Sequence, residues 1–317
     1  MKKNNHKFLI LTVLFSAAVA IIHLINKFIA ATAQLKEMLD LPHNKYFEWR
    51  FGKIHYTKKG NGTPVLLIHD ILPGASRYEW HLIEHSLAKE HTVYTIDLLG
   101  CGSSDKPGIT YTNFLYVQLI CDFIKEIISE KTDIITSGFT GSFAIMACVN
   151  EKELINKIIM INPPKLSFLK QMPSEKHRLL KFFLEIPVFG TLVYHMIVSR
   201  ESIDNLFIEH FYHNPFHMDQ DFADAYYEAA HKGGKYAKCL YASFAARYMN
   251  IDITHALEVI DNSIFIIEGA SENNAIAITE EYKRVNPSIE TVIFPNSKHL
   301  PHIEAPKKLF QQLIIYL

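Results

Sequence analysis

The 317-residue chain has four cysteines, Cys101, Cys121, Cys148 and Cys239, and no two of them stand in CxxC spacing. That excludes a cysteine-rich zinc module and a dense disulfide scaffold, and buried free thiols are the ordinary reading. Net charge is scarce as well: 32 lysines and arginines against 33 acids leave −1, so no global basic field draws the chain to nucleic acid. There are no internal repeats and no low-complexity tracts. Gly100-Cys101-Gly102 lacks the third glycine and the helix start of a dinucleotide fingerprint. His210, His213 and His217 are close together, but Asn214-Pro215 breaks any helix that would align them, so no metal site is expected. Hydrophobic residues make up 49% of the chain and aromatics 12%, which argues against disorder and for a substantial core.

What is present begins at the N-terminus. Lys2, Lys3 and Lys7 precede an apolar run from Phe8 to about Ala30, and about 20 such residues cross a bilayer as a helix. Only Lys27 and Lys36 follow nearby, which favours an N-terminus inside and the rest of the chain outside. The expectation is a single-pass anchor in the cell membrane with the folded domain on the extracytoplasmic side. Ala18-Val19-Ala20 resembles a signal-peptidase site, which keeps open a secreted product, although apolar residues continue past it. An ordinary buried helix is the third reading.

Beyond this segment (residues 1–40, with a linker at Leu41-Pro42-His43-Asn44), the pattern changes. Tyr46–Arg50 and Lys53–Thr57 around Phe51-Gly52 suggest a hairpin. Strand-like runs Val65–His69, Thr92–Leu98, Thr132–Ser137 and Ile155–Asn162 alternate with helical patterns at Tyr78–Lys89, Tyr111–Ser129 and Gly141–Asn150. Apolar runs separated by helices indicate βαβ units in a parallel sheet. From Pro163 to about Asn262 the strand rhythm stops and aromatic-rich helical patterns take over, which reads as a lid or cap. Strands Ser263–Glu268 and Thr291–Phe294 and helices Thr279–Val285 and Pro306–Tyr316 then resume the sheet. The expected units are 41–163 and 263–317 for the core and 164–262 for the cap.

Two blocks carry a family resemblance: Val65-Leu-Leu-Ile-His69-Asp70 with Trp80, and Asp97-Leu-Leu-Gly100-Cys101-Gly102-Ser103-Ser104-Asp105-Lys106-Pro107. They resemble the capped α/β-hydrolases, nearest to the haloalkane dehalogenase, epoxide hydrolase and carboxylesterase group, over roughly residues 45–317. The resemblance implies an α/β-hydrolase fold, a mostly parallel sheet flanked by helices with a helical cap inserted. Asp97 and Asp105 read as turn-capping residues. The family's nucleophile elbow, a sharp strand-to-helix turn with small residues on either side, falls on Gly138-Phe139-Thr140-Gly141-Ser142. Its nucleophile position then falls on Thr140, a β-branched residue that tolerates a strained backbone poorly.

Asn296-Ser297-Lys298-His299-Leu300-Pro301-His302-Ile303-Glu304-Ala305-Pro306 matches the family's G-H-x-P-x-x-E-x-P segment with lysine for glycine, which makes His299 the implied base. His302 reads as a packed or solvated neighbour. Gly269-Ala270-Ser271-Glu272 matches G-x-x-D with glutamate for aspartate, which makes Glu272 the acid that orients His299. The oxyanion hole is expected from the N–H groups of Ile71 and Gly141. His69-Asp70-Ile71 departs from the family's His-Gly there, and Asp70 is unhelpful beside a developing oxyanion unless it points away.

The reading that follows is a membrane-anchored hydrolase of a small apolar acyl or ester substrate, with Thr140 attacking, His299 shuttling the proton and Glu272 orienting it, and with no cofactor. A dehalogenase or epoxide hydrolase is disfavoured because Thr140 is not a carboxylate. The rival is a catalytically impaired binding or signalling module that keeps the fold. Nothing in the sequence sets the oligomeric state.

Overall fold

The computed structural model describes residues 2–40 and 44–317, with side chains from residue 6 onward. Of the linker reading, all but Asn44 lies outside the described residues. Helix α1 (Lys2–Thr32) contains the segment His6–Thr32, whose most apolar 18 residues have a mean hydropathy of 2.7 and are unburied. It is the one helix among the described residues long and apolar enough to cross a membrane unbroken.

Eight strands form one sheet: β1 (Lys45–Trp49), β2 (Gly52–Lys59), β3 (Pro64–Ile68), β4 (Thr92–Ile96), β5 (Thr132–Ser137), β6 (Ile155–Ile161), β7 (Ser263–Gly269) and β8 (Glu290–Phe294). Their order is β1-β2-β4-β3-β5-β6-β7-β8, antiparallel at the β1–β2 hairpin and the β2–β4 pairing and parallel from there on. Strand β3 is buried at every residue, as expected where helices cover both faces of a parallel sheet. One face packs on α3 (Asn113–Phe123) and α4 (Gly141–Asn150), through Tyr116, Ile120, Phe143 and Ala144 among others. The other packs on α2 (His81–Leu87) and the closing helix through Trp80, Ile83, Leu309 and Leu313. Helix α3 starts where Thr112 accepts from the N–H of Leu115, a side-chain N-cap. The long helix expected to reach Ser129 instead loosens into a π-turn at Ile124–Ile128 and stops at Ser129, whose φ is 61°.

Between β6 and β7 the chain is helical: α5 (Leu166–Leu169), α6 (Glu175–Glu185), α7 (Phe189–Ile197), α8 (Arg200–Leu206), α9 (Gln220–His231), α10 (Ala237–Ala245) and α11 (Thr254–Val259). After β7 come α12 (Ala275–Val285), α13 (Pro301–Glu304) and α14 (Pro306–Tyr316). The inserted block has its own aromatic core of Tyr194, Phe207, Phe211, Phe222 and Tyr226. Helix α1 docks on it: Phe15 stacks on Phe189 at 6.3 Å and the Asn26 amide donates to the Val188 carbonyl at 2.9 Å, and just past the helix end Lys36 pairs with Asp224.

Candidate active site

The turn from β5 into α4 takes its shape from one residue with a left-handed backbone, and that residue is Gly138, with φ +56°. Thr140 has φ −69° and ψ −15° and already belongs to the helical turn. Its buried hydroxyl donates to the Ser137 carbonyl at 2.8 Å. The sharp elbow position is therefore Gly138, with Thr136 and Thr140 as its flanking residues. This corrects the placement of the elbow on Thr140: the strand-to-helix turn is centred two residues earlier, on a residue that carries no side chain. Replacing Thr140 by valine removes one buried hydrogen bond, so Thr140→Val should lower stability by about 1 kcal/mol and leave turnover within about twofold. Urea midpoints and initial rates check both; a collapse of the rate with unchanged folding would restore Thr140 as nucleophile.

The space that an elbow side chain would fill is taken by another residue. A Cβ built on Gly138 would lie 2.3 Å from the Asp70 carboxyl carbon. Asp70 Oδ1 accepts from the N–H of Ile71 at 2.7 Å and of Phe139 at 2.8 Å. Ile71 thus supplies one of the expected N–H donors, and Phe139, the residue after Gly138, supplies the other. Gly141, expected there, instead turns its N–H back to the Phe139 carbonyl. Its lack of a side chain has a packing reason, since a Cβ would come within 2.9 Å of Met160 Sδ. Asp70 does not point away from the N–H pair; it occupies it.

His299 and Glu272 meet as expected, with His299 Nδ1 2.9 Å from Glu272 Oε1. The other ring nitrogen, Nε2, is 3.3 Å from Asp70 Oδ2, so the imidazole lies between two carboxyl groups. Burial opposes its charge, but hydrogen bonds and charge from Asp70 and Glu272 outweigh burial and lift it to about 10. Burial likewise opposes the charge on Glu272, yet His299 holds its carboxyl below the ordinary value. Phe211 stacks on the imidazole at 5.1 Å.

Asn162, at the end of β6, ties the acid loop to the base loop. Its amide donates to the carbonyls of Lys298 and His299 at 2.9 and 2.7 Å and accepts from the Gly269 N–H at 2.8 Å. The sequence reading passed over Asn162. Its φ of +47° is one that asparagine tolerates better than most residues, and its place at a strand end was the only signal.

A group raised in the folded state stabilises it fully below the unfolded value and loses that contribution as pH passes the folded one. For His299 the window runs from 6.5 to about 10. Between those limits wild type should lose more stability than Asp70→Asn, in which Glu272 is the imidazole's one remaining carboxylate partner. Urea midpoints at pH 6.5 and 10 test this; equal losses would contradict the ion arrangement.

Behind the site, His302 Nε2 is 3.0 Å from Glu79 Oε1, both buried, and Glu79 Oε2 accepts from the Asp70 N–H at 3.3 Å. His302 is thus packed, with its ring 4.7 Å from Trp80. His69 accepts from the Leu98 N–H at 3.0 Å and sets its Nδ1 2.6 Å from the Asp70 carbonyl, a structural role. Asp97 holds Arg77 and the Ser103 N–H, and Asp105 accepts from the Lys53 N–H, so both act as turn and loop clamps. Asp70, Gly138, Glu272 and His299 open into a cavity of about 230 Å³, walled by Phe139, Pro163, Phe168, Phe244 and Ile278. Glu268 also lines it, fully buried, with neither carboxyl oxygen hydrogen-bonded. Burial, with the charge of Glu272, pushes it up to about 9, so it is a neutral acid at pH 7.

Among known proteins, 2-hydroxy-6-oxo-6-(2'-aminophenyl)hexa-2,4-dienoic acid hydrolase of Metapseudomonas resinovorans is 32% identical over 108 residues, 33% of this chain and 37% of that enzyme. Soluble epoxide hydrolase of Corynebacterium sp. is 26% identical over 110 residues, 35% of this chain and 38% of that enzyme. The matches therefore span little more than a third of either enzyme's length. The solved structure of a membrane phospholipase A covers 100% of this chain and 98% of its own, with a TM-score of 0.68 at 18% identity, a likeness of fold. The alpha/beta hydrolase family model matches residues 65–312, and the chain belongs to that family.

Proposed function

We propose that this protein is a hydrolase in which Asp70, reaching in from the loop after β3, replaces the elbow nucleophile. The observation that carries the reading is the setting of its carboxylate, with Oδ1 between two N–H donors and Oδ2 against His299. A carboxylate held this way attacks a saturated carbon that bears a leaving group, such as the ring carbon of an epoxide. Oδ2 forms the new C–O bond, the C–O bond of the ring breaks with its electron pair, and the product is an alkyl ester of Asp70. Glu268, a neutral acid in the same cavity, is a proton source for the alkoxide.

Ester formation removes the charge on Asp70 that holds the imidazole up. The imidazolium gives its proton to the Glu268 carboxylate left by ring opening, and the neutral His299 then takes a proton from water as the water attacks the Asp70 carboxyl carbon. The oxyanion forms on Oδ1, where the N–H groups of Ile71 and Phe139 already point. Collapse breaks the bond from the carboxyl carbon to the ester oxygen, the alcohol leaves with the proton of the His299 imidazolium, and the new carboxyl group returns its own proton to His299 as it becomes the carboxylate. Glu272 keeps His299 oriented throughout.

The apolar walls favour a small apolar substrate, and the name of the epoxide hydrolase relative fits this class. Ester cleavage led by Thr140 finds less support, because that hydroxyl is tied back to Ser137. We further propose that α1 anchors the domain at the outer face of the cell membrane, supported by the mean hydropathy of 2.7 over its most apolar 18 residues and by the lysines that precede that stretch. The test of the chemistry is His299→Gln treated with a small epoxide: a stoichiometric adduct on the Asp70 peptide supports it. No adduct, with correct folding, favours a binding module that does not turn over.

A further inference from the structure

A second, larger cavity of about 690 Å³ lies between α1 and the inserted helices. One wall is α1 itself, through His23, Asn26, Lys27 and Ala30, toward the C-terminal end of its apolar run. The opposite wall comes from α6, the Pro187-Val188 corner, α7 and α10.

The corner is held under strain. Val188, β-branched, has φ +65°, a conformation that costs on the order of 1–3 kcal/mol, and its carbonyl is fixed by the Asn26 amide of α1. The other amide atom, Asn26 Oδ1, has no hydrogen-bond partner although the residue is 5% exposed. His195 is also in the wall, 4% exposed, with Nδ1 unpartnered. Burial first and His231 second hold its pKa down at about 4, so the ring is neutral and stacks flat on His231 at 5.0 Å. Buried polar atoms left without partners are costly.

The charge in the lining is one-sided. Four lysines line the cavity, Lys27, Lys181, Lys235 and Lys238, against one acid, Glu185. Lys181 pairs with Glu185, and Lys238 donates to the carbonyls of Glu185 and Ile186 at the end of α6. Lys27 and Lys235 make no carboxylate pair among the described residues; Lys235 rests over the Tyr236 ring at 4.8 Å. The remaining lining is mainly apolar, with Ile109, Pro187, Val188 and Cys239.

We infer that this cavity binds a single-chain amphiphile with an anionic head, the head at Lys27 and Lys235 and the chain along the apolar wall between α1 and α7. Such a ligand ties α1 to the corner that Asn26 already holds, so its site exists only while α1 is docked. A fatty carboxylate and a lysophospholipid phosphate share this chemistry.

The test uses the purified full chain in dodecyl maltoside, titrated with oleate, with oleoyl lysophosphatidate and with uncharged oleyl alcohol, and read by native mass spectrometry. One equivalent of an anionic probe should bind about tenfold more tightly than oleyl alcohol, and comparison of the two anionic titrations tells carboxylate from phosphate head. Ala30→Trp, which fills the cavity from the helix surface, should abolish binding of all three. Lys27→Gln with Lys235→Gln should keep binding of oleyl alcohol and lose the preference for charge. Equal binding of charged and uncharged probes, or no effect of Ala30→Trp, overturns the proposal. This outcome is independent of chemistry at Asp70, because the two cavities share no lining residue.

Discussion

Replacing Asp70 by glycine and Gly138 by serine together should convert this protein into a serine-type esterase. The two positions compete for one volume: a Cβ on Gly138 would lie 2.3 Å from the Asp70 carboxyl carbon. Gly138→Ser alone therefore forces Asp70 aside and adds a side chain at φ +56°, which together should cost about 2–4 kcal/mol of stability. Asp70→Gly alone empties the N–H pair of Ile71 and Phe139 but provides nothing that attacks. In the double variant the hydroxyl stands beside His299, Glu272 orients the imidazole, and the two N–H groups are free to receive an oxyanion.

Loss of Asp70 also removes one of the two anions that hold His299 near 10, so the imidazole moves toward a range where it acts as a base. The effect is non-additive by construction. Each single variant should show no acylation above background, and the double variant should hydrolyse an activated ester such as p-nitrophenyl acetate about 10²-fold or more above it. It should also take one equivalent of a fluorophosphonate on the peptide carrying the Gly138→Ser change. A folded double variant without labelling would show that the N–H pair or His299 is misplaced for acyl chemistry.

The second large effect is on wild-type chemistry. His299→Gln keeps a side chain of similar size and a hydrogen-bond partner for Glu272 but removes the base. Alkylation by Asp70 needs no base, whereas hydrolysis of its ester does. Turnover of a small terminal epoxide such as 1,2-epoxyhexane should thus fall about 10³-fold, while a burst of one equivalent accumulates as ester. Digestion and mass spectrometry should find the added mass on the peptide that contains Asp70, and Asp70→Asn should abolish both the burst and turnover. An adduct on another residue, or equal turnover by Asp70→Asn, would end the Asp70 mechanism.

Much of this molecule was legible in its residues, and the physical reasons differ by feature. Strand β3 reads as a strand because Val65-Leu-Leu-Ile68 is a short, wholly apolar run bounded by Pro64 and His69. The hairpin of β1 and β2 follows from Phe51-Gly52, where Gly52 takes φ +144°. Glu272 and His299 were readable through the family resemblance, in Gly269-Ala270-Ser271-Glu272 and Lys298-His299-Leu300-Pro301, and the fold brings them within 2.9 Å of each other.

Thr140 misled because small residues, Gly138 and Ser142, stand two places on either side of it, as the family's elbow requires. The residue that makes the turn, Gly138, is identified by its φ and by what lies against its missing side chain, and neither is written in a local pattern. Asn162, Glu268 and the pairing of Glu79 with His302 were hidden for the same reason, since each acts on residues brought to it by other strands.

The sequence by itself determined the alternation of strands and helices and the apolar N-terminal helix. Hydrophobic periodicity and turn residues are local properties, and they act within a few residues. The tertiary structure alone decided which side chain occupies the elbow. Strands β3 and β5 are neighbours in the sheet, so the loop after one faces the turn after the other, and Asp70 enters the space that Gly138 leaves empty. Steric exclusion across that sheet joint makes the two unusual residues one feature, a carboxylate held by two N–H groups and an imidazole.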